Sequence, residues 1–234
     1  MSEPRTFPYS LHDDHFIVEA GAQRWLLDTG SPVTVGSDPI QLGSLTHEAS
    51  DNYLGVNIDS LQEMVGVEFD ALVGMDVLSQ TSLLIDKAEK RVHFGAPAGD
   101  GNSPPLTFAA GIPIIELAVN ECNTKLFFDT GAKITYLPSR LLGNSRQVRT
   151  VDDFYPGLGP FSTPVFRVQA TIGDQETEIE TGQLPEQLEA MVGLMGVDGI
   201  LGNSAWHDQD LWFSPGECQI AFDTATEQQS AHPF

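Results

Sequence analysis

Two short stretches carry the residues most capable of chemistry. "LLDTGSP" (residues 26–32) and "FFDTGAK" (residues 127–133) each run a bulky apolar pair straight into Asp-Thr-Gly. A carboxylate at the end of so apolar a strand stands at the rim of a buried layer. The glycine permits positive φ and close approach of backbone, and the threonine hydroxyl can brace a tight turn. If the two loops meet across a pseudo-twofold axis, Asp28 and Asp129 come together. Two carboxyl groups within hydrogen-bond reach cannot both ionise easily, so they share a proton. One is then a general base for water and the other a general acid for a carbonyl oxygen, which suffices for amide hydrolysis without a metal or a covalent intermediate. A lone Asp-Thr-Gly is an ordinary solvated turn, arising by chance in roughly one in twenty chains of this size. Two together fall to on the order of one in a thousand by the same residue usage.

The elements that would position these turns are also written twice. "FDALVGMDVL" (69–78) lies over "VDGILGNSAW" (197–206), and "SLLIDKAEKRVHF" (82–94) over "DLWFSPGECQIAF" (210–222), at a constant offset of 128. "LQEMVG" (61–66) pairs with "LEAMVG" (188–193), each with Leu, Met and Val on one face of a short helix. Each half thus reads as strand, Asp-Thr-Gly, variable region, short helix, aliphatic pair with glycine, and closing hairpin. The seam is "GAPAGDGNSPP" (95–105), rich in structure-breaking residues. We therefore expect an N-terminal lobe over 1–98 and a C-terminal lobe over 99–234. The second half is longer by 27 residues, almost all between its Asp-Thr-Gly and its short helix. That stretch includes 152–173, which reads as a hairpin with a Gly/Pro-rich tip.

Composition narrows the function. Glycine (22) and proline (15) are plentiful and long helical patterns scarce, which favours strands and turns. With 33 acidic residues against 11 basic, the formal net charge is -22. Phosphate recognition needs a lysine- and arginine-rich face, so nucleic acid is not an expected partner. No run of about 18 apolar residues is present, so no membrane span is expected. The N-terminal "MSEPRTFPYS" lacks a secretion-signal pattern, and the expected location is the cytoplasm. Cys122 and Cys218 show neither framework nor zinc-ligand spacing and are expected to be reduced.

On "LLDTGS", "FFDTGA", "ALVG" and "GILG", in this order across both halves, the chain resembles the aspartic proteases of the pepsin and retropepsin kind. The resemblance implies a mostly β, two-lobed acid protease fold built by internal duplication, with a central cleft. Asp28 and Asp129 would be the catalytic dyad. Thr29 and Thr130 would brace the loops against each other, Gly30 and Gly131 would complete the turns, and Ser31 would hydrogen-bond the Asp28 carboxylate. The hairpin tip with Tyr155, Gly157, Leu158 and Gly159 would be a flap over a peptide or protein substrate. No cofactor or metal is implied, and the expected state is a monomer.

Some features depart from that pattern. Only the second half has room for a long flap hairpin, whereas pepsin-like enzymes carry theirs on the first lobe. Ala132 and Lys133 follow the second Asp-Thr-Gly. A lysine beside the dyad would favour its doubly ionised form; the alternative is a Lys133 that points to solvent. The first strand is expected near Phe16, leaving little chain for an inhibitory segment, so activity should be narrow, acid-dependent or absent. The rival reading is a catalytically weak or inactive protein that binds peptides. "HDDH" (12–15) is a conceivable metal site, but on one alternating strand His12 and His15 would face opposite sides.

Overall fold

The computed structural model describes residues 5–97 and 103–224, and within these the chain is mostly β. Residues 98–102 of the expected seam lie outside the described residues. Two large sheets dominate, one of nine strands and one of eight. The first strand is Arg5–His12, not one beginning near Phe16. Its alternating pattern is weak because its side chains are largely exposed, while His15–Ala20 beside it is buried and reads far more clearly.

The strand before each Asp-Thr-Gly is placed alike. Gln23–Leu27 pairs in parallel with Ala71–Val73, and Cys122–Phe128 pairs in parallel with Gly199–Leu201. A third short strand closes each set, through Val35 opposite Leu72 and Tyr136 opposite Ile200. The expected short helices form at Ile58–Val65 and Glu186–Gly193. Gly74 and Gly202, after each aliphatic pair, allow a close approach. A Cβ there would collide with the backbone of Val33 and Ile134 respectively.

Alternation explains the bulky pairs. Leu26 and Phe127 point into two separate apolar clusters, the first with Ile17, Leu61 and Phe69, the second with Tyr136, Leu188 and Ile200. Leu27 and Phe128, one residue on, point the opposite way into a single large core. That core mixes both halves of the chain: Phe16, Trp25 and Phe94 share it with Trp206, Phe213 and Phe222. The closing hairpin of the second half, Gln209–Ser214 with Gln219–Thr224, joins the nine-stranded sheet by pairing Leu83–Asp86, with Leu83 opposite Phe213. One continuous core under two separate apolar clusters fixes the relative position of the two Asp-Thr-Gly turns.

Cys122 and Cys218 are exposed and unpaired. Among the described residues no helix is long and apolar enough to cross a membrane.

Candidate active site

The two Asp-Thr-Gly turns meet face to face. Thr29 Oγ1 donates to the Phe128 carbonyl at 2.7 Å and Thr130 Oγ1 donates to the Leu27 carbonyl at 2.9 Å. Each hydroxyl also accepts from the other threonine's backbone N–H, both at 3.0 Å. The threonines are buried, so all four bonds are shielded from water. Behind them, the Asp28 N–H donates to the Val73 carbonyl and the Asp129 N–H to the Leu201 carbonyl, each at 3.0 Å.

This exchange brings Asp28 and Asp129 together with their carboxyl groups sharing a hydrogen bond. Gly30 sits against the Asp129 carboxyl and Gly131 against that of Asp28, where any Cβ would overlap it. Neither glycine has positive φ, so close approach, rather than turn conformation, is what requires them. Asp28 Oδ1 accepts from the Ser31 N–H at 3.0 Å, and Asp129 Oδ1 from the Gly131 N–H at 2.8 Å. Ser31 therefore reaches the Asp28 carboxylate through its backbone. Its hydroxyl donates to the Val33 carbonyl at 2.7 Å.

Burial, the neighbouring Asp129 charge and the bond between the two carboxyls hold the Asp28 carboxyl well above the usual carboxylate range. Burial also raises Asp129, against the bond from Asp28, the Gly131 and Ala132 N–H groups and the nearby His15, all of which favour its ionised form. The pair thus resists double ionisation, and one proton is retained where two ordinary aspartates would hold none.

Above the aspartates lies a narrow cavity of about 100 Å³ with mainly apolar walls. Leu26, Leu61 and Leu72 line one side and Tyr136, Leu188 and Ile200 the other. A long hairpin, Arg146–Tyr155 with Gly159–Ile172, covers it, turning through Pro156, Gly157 and Leu158. Gly157 and Gly159 adopt positive φ, which explains glycine at both places. Tyr155 lines the cavity, and its phenol is raised by burial and by both aspartates. Gly157, Leu158 and Gly159 shape the tip but do not line the cavity; Leu158 is partly exposed.

The first half contributes a cover as well, contrary to the expectation of a one-sided lid. Asn52–Tyr53 and Val56–Asn57 form a short hairpin whose Tyr53 and Leu54 line the same cavity. Leu54 approaches Gly157 of the opposite tip. The Leu-Gly turn of "NYLGV" was the available signal, because two residues between strands with glycine second favour a tight hairpin. Its brevity concealed it.

Lys133 points neither at the dyad nor to solvent. Its ammonium donates to Asp13 at 2.9 Å and to the Asp152 carbonyl at 3.2 Å, with Asp153 at 3.9 Å. The bond to Lys133 holds Asp13 below the usual carboxylate range. His12 and His15 are not on one alternating strand. A two-residue turn at Asp13 and Asp14 makes them cross-strand partners on the same face. No cluster of three or more metal-type ligands occurs among the described residues. Sequence reasoning weighed His15 only as a conceivable metal ligand and passed over Tyr136 and Asn203, whose place at the site depends on contacts between distant segments. No protein-family model matches the chain, and no curated protein matches it.

Proposed function

We propose that this chain is an aspartic endopeptidase with a two-lobed, pepsin- and retropepsin-like arrangement, hydrolysing peptide bonds on the pair Asp28 and Asp129. The observation that carries this reading is the reciprocal threonine exchange, which presents two hydrogen-bonded carboxyl groups to the floor of an apolar, covered cavity.

In the reaction, a water molecule lies between the pair and the scissile carbonyl. The ionised carboxyl removes a proton from water while the protonated one donates to the carbonyl oxygen, giving a neutral tetrahedral diol. The C–N bond then breaks as the nitrogen takes up a proton from the acid just formed. One hydroxyl returns its proton, leaving a carboxylic acid and an amine. Small-ligand and peptide sites run from roughly 300 Å³ upward, so a cavity of about 100 Å³ must open before a peptide enters. On this reading, the two hairpins that meet over it are the parts that would have to separate.

The test is digestion of an unfolded protein substrate from about pH 3 to 7, a range that brackets carboxylate titration. Wild type should cleave it, and Asp28→Asn and Asp129→Asn should each abolish cleavage. Cleavage surviving in either variant refutes the dyad mechanism. Peptide binding without cleavage in wild type would establish the rival peptide-binding role.

A further inference from the structure

The cavity above the aspartates adjoins a second recess of about 240 Å³, and His15, Val65, Asp153 and Phe154 line both. The recess is bounded by Asp13 of the "HDDH" turn, by Lys133 beyond the second Asp-Thr-Gly, and by Asp152 and Asp153 of the long hairpin. That turn belongs to the first half in sequence yet is fastened to the second. Asn203 Nδ2 donates at 2.8 Å to both the Asp14 carbonyl and the Thr130 carbonyl, bridging the turn to the loop of Asp129.

Acceptors outnumber donors in this recess. Lys133 donates to Asp13 at 2.9 Å and to the Asp152 carbonyl at 3.2 Å, with Asp153 at 3.9 Å, so three carboxylates face one ammonium. Their other donors are neutral: the Ser162 hydroxyl serves Asp152, and the Tyr136 hydroxyl and Phe154 N–H serve Asp153. These orient the carboxylates without cancelling their charge, and Asp13 and Asp152 stay exposed. A buried group adds a further acceptor. His15 is only 5% exposed, and its Nδ1 lies 3.1 Å from the His12 carbonyl oxygen. A carbonyl only accepts, so Nδ1 bears the hydrogen, and in the neutral ring Nε2 is left with a lone pair. Nε2 has no hydrogen-bond partner among the described residues.

We propose that the recess is a subsite for one basic side chain of the bound peptide, with the carboxylates of Asp13 and Asp152 and His15 Nε2 as its acceptors. Met64, Val65 and Phe154 supply an apolar wall for the stem of a lysine or arginine. The inference deepens the hydrolase reading and rests on it for the peptide. A basic residue on one side of the scissile bond then fixes which way the peptide lies across a duplicated site.

The duplication shows why the subsite belongs to one side. Ile17 pairs with Leu26 two residues before Asp28, and Ile114 with Phe127 two residues before Asp129. The same count sets Ala110, Gly111 and Ile112 where the first half has Asp13, Asp14 and His15. Pro32 likewise stands where the second half has Lys133. The matching residues are all uncharged.

Peptides that cannot be cut test this without any turnover. Each carries a hydroxyethylene unit in place of the scissile amide, which mimics the tetrahedral diol and fixes the register. One lysine is moved along an otherwise apolar sequence on either side of that unit, with norleucine as the uncharged control. Calorimetry should find lysine about fivefold tighter than norleucine, as an exposed ion pair allows, and on one side only. Asp13→Asn and Asp152→Asn, both at exposed positions, should each reduce that preference, and the double variant should abolish it. Equal gains on both sides would show only attraction to a chain of net charge -22 and overturn the proposal. A preference that survives the double variant, or no binding of any peptide, would overturn it too. Cleavage of the matching amide peptides scores the protease reading separately. One-sided lysine preference without cleavage would leave the subsite and remove the hydrolase. Cleavage without that preference would do the reverse.

Discussion

Replacing Thr130 with valine keeps the shape of the side chain and deletes its hydroxyl. Two hydrogen bonds go with it, the one donated to the Leu27 carbonyl at 2.9 Å and the one accepted from the Thr29 N–H at 3.0 Å. Thr130 is 2% exposed and Thr29 1%, so water cannot replace the lost partner without opening the structure. Each stranded buried group costs about 1–3 kcal/mol, against a gain of about 0.8 kcal/mol for the added methyl. The net loss is about 1–5 kcal/mol, a large share of the roughly 5–15 kcal/mol that holds a folded domain. With a urea m-value of about 3 kcal/mol/M, the midpoint should fall by roughly 1 M. Thr29→Val should cost about the same, because its hydroxyl makes the matching pair of bonds to Phe128 and Thr130. The two hydroxyls join the same two loops, so the double variant should cost less than the sum, with a coupling of about 0.5–3 kcal/mol. Urea unfolding of the four proteins measures all of this. A loss below about 0.5 kcal/mol for Thr130→Val would refute the claim that this exchange holds the aspartates together.

Asp28→Asn should stabilise the protein at neutral pH. Burial and Asp129 raise the carboxyl of folded Asp28, so the folded state binds its proton more tightly than the unfolded chain does. The stability this confers is complete below the unfolded value of about 3.9 and is lost as pH rises through the folded value. Asparagine does not ionise, so the variant's advantage in thermal midpoint should grow from pH 4 to pH 7; a constant difference would show that Asp28 is not desolvated. For the cover, Tyr155→Ala and Tyr53→Ala should each weaken turnover or peptide affinity, since both side chains line the cavity from opposite hairpins. Amide exchange at 154–162 and at 53–57 should slow together when a peptide-like inhibitor binds, and protection confined to the longer hairpin would return the lid to one side.

The parts of this molecule legible in the sequence were those held by local pattern. Apolar runs into Asp-Thr-Gly, the aliphatic pair with glycine and the two closing hairpins each repeat within one stretch of chain, so composition and spacing expose them. The hairpin tip at Gly157 was equally plain, because glycine and proline mark turns. Other features turned on geometry that a linear reading does not carry. The contact of Ser31 with the Asp28 carboxylate was expected without its atom; the folded turn supplies it from the backbone N–H, while the hydroxyl finds the Val33 carbonyl. The two histidines of "HDDH" appeared to diverge only because a tight turn at Asp13 and Asp14 was read as continuous strand. Lys133 found partners 120 and 19 positions away, at Asp13 and Asp152, which no local pattern links to it.

Repetition and departure from repetition serve different ends here. The bonds that place the aspartates are matched nearly ångström for ångström: 2.7 and 2.9 Å for the hydroxyl donors, 3.0 Å for both threonine N–H groups, 3.0 Å for both aspartate N–H groups. Such a frame by itself favours neither carboxyl as the holder of the single proton, and a reaction with one base and one acid needs a preference. The departures cluster around the second Asp-Thr-Gly loop and the cavity above it. His15 stands where the other half has Ile112, Asn203 where it has Met75, and a hairpin of 27 residues from Arg146 to Ile172 where it has only Asn52–Asn57. Asn203 is the link between them, since its amide joins the Asp14 carbonyl to the Thr130 carbonyl and so brings the histidine turn against the loop of Asp129. Methionine at that place, as at Met75, could make neither bond. The duplicated frame sets where the two carboxyls lie, and the residues that broke the duplication make the surroundings of the two unequal.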